Sequence, residues 1–135
     1  MPARIRFDIL IVDQSPLAHN LYQLLFAGQN RFRISFADEF ASLNKRSQRF
    51  RPDILLINSN AIAPHALDEF RFPCQTILIA SKGRVDLKEL SDANHKVTLI
   101  EKPFYPYDLL SVANRLTAVK KQKLSKAKKI KRKAS

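Results

Sequence analysis

The sequence predicts an α/β fold in which a parallel five-stranded sheet is covered by helices. Three observations predict it. Five short apolar runs of strand length recur along the chain, and segments with helical spacing or helical end signals alternate with them. The 135 residues, 45% of them hydrophobic, suit one domain large enough to bury a core.

The elements follow in order. "RFDILIVD" (Arg6 to Asp13) is nearly continuous in apolar residues, as in a strand buried on both faces. In "SPLAHNLYQLLFAGQN", Ser15 is placed to cap a helix and Pro16 to begin it, and Gly28 stands at its end. Leu17, Leu21, Leu24 and Leu25 share one face of that helix. "RFRISFA" alternates as a second strand. "DEFASLNKRSQRF" carries Phe40, Leu43 and Phe50 at roughly helical spacing, with acids at its start and bases at its end. "DILLIN" is the third strand, "APHALDEFRF" suits two short helical turns, and "QTILIAS" is the fourth strand. "RVDLKELSDAN" is a small helix, "KVTLIE" the fifth strand, and "YPYDLLSVANRLTAVKK" a final helix with Leu109, Val112, Leu116 and Val119 in register.

Composition narrows the function classes. The single cysteine, Cys74, cannot form an internal disulfide, which suits a reducing cytoplasm. No apolar run approaches the ~20 residues of a membrane-spanning helix, and the N-terminus lacks signal-peptide features. The formal charge is +12, yet residues 1–119 hold fifteen basic against twelve acidic residues. The excess sits in a tail, residues 120–135: Lys120, Lys121, Lys123, Lys126, Lys128, Lys129, Lys131, Arg132 and Lys133, with no acid. Such a tail, helical or disordered, is expected to be either an arm that seeks polyanions or a solvated extension. It carries too little apolar surface for membrane insertion, and no aromatic to stack on bases, so DNA or RNA binding through it is expected to be sequence-poor.

In a helix-covered parallel sheet, the functional crevice lies beyond the carboxyl ends of the strands. Asp13 with Gln14, Asn58, Ala80 with Ser81, and Lys102 are therefore expected to converge. At these residues the chain resembles the receiver domain of bacterial two-component response regulators, over about residues 5–119. The resemblance rests on "ILIVDQSP", "PDILLIN" and "EKPF", on the 45 residues from Asp13 to Asn58 and on the 22 from Ala80 to Lys102. It implies a doubly wound, flavodoxin-like sheet of order 2-1-3-4-5 and a cis bond between Lys102 and Pro103. The 22-residue span from Asn58 to Ala80 implies a shortened third helix.

Carried over residue by residue, the family's roles are only partly filled. Asp13 matches the first acid, but Gln14 stands for the second and Asn58 for the phosphoacceptor aspartate. Ala80 takes the Ser/Thr position, with Ser81 one place late, and Lys102 matches. The switch aromatic of strand five falls near Leu99, an aliphatic residue. A neutral amide is a poor nucleophile and cannot become an acyl phosphate. Mg²⁺ prefers anionic oxygens, and Asp13 with Lys102 leaves the pocket near zero charge. The expectation is a metal-free pseudo-receiver in which Lys102 pairs with Asp13 and hydrogen-bonds Asn58. Asp13 as a surrogate phosphoacceptor is the competing reading.

Other candidates carry less. The three histidines share no metal-ligand spacing with Cys74, and His19 is expected to face solvent. Ser15 and Ser81 have no histidine partner, so no enzyme activity is expected. Leu99, Phe104, Tyr105 and Tyr107 mark the face of strand five and the last helix, where the resemblance implies a signalling partner or a homodimer. Phe104 is also expected to reach the core. The leading expectation is a phosphorylation-independent interaction module, and the alternative is a nucleic-acid-associated protein acting through its tail.

Overall fold

A computed structural model describes residues 6–37, 52–68 and 70–118. The helix expected over 38–50 and the basic tail lie outside the described residues. The strands are β1 (Phe7–Val12), β2 (Phe32–Ala37), β3 (Ile54–Asn58), β4 (Gln75–Ala80) and β5 (Val97–Glu101). The helices are α1 (Pro16–Ala27), α2 (Val85–Ala93) and α3 (residues 106–118). All strand pairs are parallel and run in the order β2-β1-β3-β4-β5, as the resemblance implied.

Strand side chains alternate between two faces, so each apolar run feeds two cores. Leu10, Val12, Leu55, Ile57 and Leu78 face α2, where Leu87 meets them. Ile9, Ile11, Leu56, Ile77 and Ile79 face α1 and α3, against Tyr22, Phe26, Leu109 and Ala113. Burial on both faces explains why these strands show no polar alternation. Between β3 and β4 there is a 3₁₀ turn (Ser59–Ala61), then turns closed by Ala66, Asp68 and Phe70 amides donating to the carbonyls three residues earlier. That is the shortened third element.

The capping residues of α1 act as expected: Ser15 Oγ accepts from the Ala18 amide at 3.3 Å, with Pro16 at the start. Its inward face is not. Leu17 and Leu24 are 79% and 77% exposed, and Tyr22 and Phe26 are the buried residues, flanked by Ala18 and Leu25. This helix has apolar residues on adjacent faces, so periodicity alone does not choose between them. Tyr22 decides it, because its hydroxyl has a partner inside.

Candidate functional site

Asp13 follows β1, Asn58 ends β3, Ala80 ends β4 and Lys102 follows β5, so the parallel topology brings them to one edge of the sheet. Asp13 is wholly buried. Its Oδ2 accepts from the Tyr22 hydroxyl at 2.8 Å and from Asn58 Nδ2 at 2.9 Å. Its Oδ1 accepts from Asn60 Nδ2 at 2.8 Å and from the Ser15 amide at 2.9 Å. Burial pushes the carboxyl pKa up, but the bonds from Asn60, Ser15, Tyr22 and Asn58 together outweigh it and hold the group below its ordinary value. Burial, and then the same carboxylate, raise the Tyr22 phenol.

Asn58 is bonded at both ends of its amide. The Nδ2 donates to Asp13, while Oδ1 accepts from Lys102 Nζ at 2.9 Å and from the Asn60 amide at 3.2 Å. The last bond caps the 3₁₀ turn, so Asn58 both ends the strand and organises the pocket. The expected Lys102–Asp13 ion pair is not formed: Asn58 stands between them. Asp13 is already saturated by four donors, and Lys102 takes the acceptor left over.

The remaining predicted residues are placed unevenly. The side chain of Gln14 is exposed, and only its backbone amide enters the site, donating to Asn60 Oδ1 at 3.4 Å. Ala80 is buried, and its carbonyl accepts from the Lys102 amide at 2.8 Å. Ser81 donates its amide to Ser59 Oγ at 3.2 Å, with the two hydroxyls 3.4 Å apart. The Lys102–Pro103 peptide is cis. Tyr105 and Tyr107 are 78% and 76% exposed. Leu99 and Phe104 are half-buried and pack against opposite cores, Leu99 toward α2 and Phe104 toward α1 and α3. The four therefore do not make one continuous exposed face.

Several residues of the site were not anticipated. Tyr22 and Asn60 supply two of the four bonds to Asp13, and the polar tip of a tyrosine amid apolar helix residues was the available signal. His19 does not simply face solvent: it stacks on Phe36 with ring centroids 4.4 Å apart, and its Nε2 lies 2.6 Å from the Asp13 carbonyl oxygen. Arg84 closes the rim. Its guanidinium forks onto both Asp86 oxygens at 3.1 Å and also donates to the carbonyls of Ser59, Ile62 and Ala63 at 3.3 Å. Arg84, more than any other group, holds the Asp86 carboxyl well below the usual carboxylate range.

The donor set does not suit the Mg²⁺ that the resemblance implies. One carboxylate is present, and both its oxygens already face N–H and O–H donors. Among the described residues, no group of three or more His, Cys, Asp or Glu converges on a metal-sized site. No helix among them is long and apolar enough to cross a membrane.

No protein-family model matches the sequence, and no curated protein matches it. Solved structures do. The signal receiver domain ascribed to a Luxo repressor protein of Vibrio parahaemolyticus superposes with TM-score 0.70 at 20% identity, covering 89% of this chain and 97% of that one. The response regulatory domain of protein mrkE from Klebsiella pneumoniae gives TM-score 0.65 at 18% identity, covering 85% and 98%. NtrX of Brucella abortus gives 0.69 at 22% identity over 89% of this chain, which spans only 28% of the NtrX chain. The chain thus has the fold of a response-regulator receiver domain.

Proposed function

We propose that this chain is a receiver-fold signalling module that works without phosphorylation and offers a constant surface to a protein partner in the cytoplasm. The observation that carries this reading is the Asn58 amide, which bridges Asp13 and Lys102 with each end satisfied. An amide at this position cannot form an acyl phosphate. Asp13, the surrogate acceptor, has both oxygens occupied by four donors and is poorly placed to attack phosphorus. The pocket needs no Mg²⁺ to relieve charge repulsion, since it holds one carboxylate and one ammonium. Arg84 straps the loop after β3 to the start of α2, which favours a single conformer. The module is not an enzyme in this reading.

Tyr105 and Tyr107 are the partner contacts, since exposed tyrosines anchor interfaces and these two flank the first residue of α3. A homodimer through these tyrosines is one form the contact can take. Tyr105→Ala with Tyr107→Ala, compared with wild type in crosslinking and sedimentation, tests this. Loss of the captured partner or of the dimer is expected, and unchanged association contradicts it.

A second reading is favoured by the nine cations in residues 120–135, which no acid offsets. The tail then binds nucleic acid through phosphate contacts, and binding weakens steeply with salt. Neutralising the tail lysines to glutamine should abolish this binding while leaving the tyrosine-dependent association intact.

A further inference from the structure

We infer that the leucine face of α1 docks a second copy of this chain through an isologous helix-to-helix contact. This surface is separate from the tyrosine contact proposed above and does not rest on it. Leu17, Leu21 and Leu24 have the alternating four- and three-residue spacing of a coiled-coil seam, and they are 79%, 42% and 77% exposed. Among the described residues, half of the large exposed hydrophobic side chains stand on this one face. The others, Val85, Tyr105 and Tyr107, lie elsewhere along the chain.

The leucines are held outward. Tyr22 and Phe26 are buried on the other side of the helix, and the Tyr22 hydroxyl, 2.8 Å from Asp13 Oδ2, sets its rotation. Charge then selects the occupant. The 12 residues of α1 include no Asp, Glu, Lys or Arg, in a chain that is 27% charged, and the exposed Asn20, Gln23 and Ala27 beside the seam are neutral. An acidic or basic partner finds no counter-charge on this face. A lipid surface finds none of the cations by which interfacial helices hold it.

A second copy fits by construction. It offers the same uncharged seam, so two chains of net charge +12 meet here without bringing like charges together. Leu21 stands in the middle of the seam. An antiparallel pair therefore sets Leu21 against its own copy and each Leu17 beside the other copy's Leu24. A groove of ≈ 320 Å³ opens near that end of the helix, between α1 and β2, with Ala27 and Ile34 in its wall. It gives the incoming Leu17 an apolar seat. One helix about 18 Å long makes a smaller contact than the ~800 Å² per partner of a stable interface, so the dimer is weak and concentration-dependent.

The test is sedimentation equilibrium of the full chain from about 10 μM to about 1 mM, over which wild type is expected to pass from monomer toward dimer. Leu17→Gln with Leu24→Gln should weaken association at least about tenfold. Both side chains already face solvent, so thermal melts should show the fold intact. Leu21→Glu and Leu21→Lys should each stay monomeric, and an equimolar mixture of the two should dimerise, because the contact brings position 21 against its copy. A wild type that remains monomeric to about 1 mM overturns the inference. So does a dimer that survives the glutamine variant, and its loss with Tyr105→Ala and Tyr107→Ala would assign it to the tyrosines instead. No recovery in the Glu–Lys mixture contradicts the isologous contact.

Discussion

At position 58 a single atom separates two kinds of pocket. Asn58→Asp replaces the Nδ2 donor, 2.9 Å from Asp13, with an anionic oxygen. Lys102 offsets part of the repulsion, and the net loss expected at pH 7 is about 2 kcal/mol. Two close carboxylates raise each other's pKa, so the penalty holds above the raised value and is relieved as pH falls through it. Urea unfolding at pH 7 and 5 should show the gap to wild type narrowing. Asp13 behaves in the opposite sense. Its folded pKa is lowered, so its contribution is complete above the unfolded value near 4 and is lost as pH falls below that. Asp13→Asn should lose about 2 kcal/mol at neutral pH, leaving donors unmatched, and should show a shallower acid decline than wild type. Asp13, Asn58 and Lys102 were legible in the sequence because strand ends are set by linear spacing. Tyr22 and Asn60 were not, because which side chains reach a buried carboxylate depends on helix rotation and turn geometry.

The same distinction holds for elements. The parallel sheet and its covering helices followed from apolar runs and their alternation, and the strand order from the resemblance, whereas the inward face of α1 followed from neither. Leu17, Leu21 and Leu24 form a stripe as regular as the one actually used, and a tertiary bond through Tyr22 breaks the tie. The two glycines differ in a way no sequence pattern reveals. Gly28 ends α1 at φ −84°, with open space where a Cβ would project, so its left-handed freedom is unused. Gly28→Ala should stabilise by about 0.4–1 kcal/mol through the unfolded state. Gly83 sits at φ +93°, and Gly83→Ala should destabilise by about 1 kcal/mol despite equal room. Thermal melts of both variants check the pair. Arg84→Ala should speed hydrogen exchange at Ile62 and His65, whose loop the guanidinium and its Asp86 partner hold.

Over the whole molecule, two cores share one sheet, and the central strands carry both. Leu56, fully buried on β3, should cost about 2–5 kcal/mol when cut to alanine, read by urea unfolding. The scaffold has the receiver fold, with a shortened element after β3, and the edge of its sheet holds a pocket bridged by an amide. The charge distribution divides the molecule further, with a nearly balanced body and a cationic tail. The central claim is that Asn58 and Gln14 removed the phosphorylation switch without disturbing this scaffold. An NMR titration with Mg²⁺ and beryllofluoride tests it most directly, on wild type beside the variant combining Asn58→Asp with Gln14→Asp. A spectrum that shifts in the variant and stays unchanged in wild type is the predicted result. Shifts in wild type around Asp13, Ser81 and Lys102 would contradict it and make this chain a regulated switch.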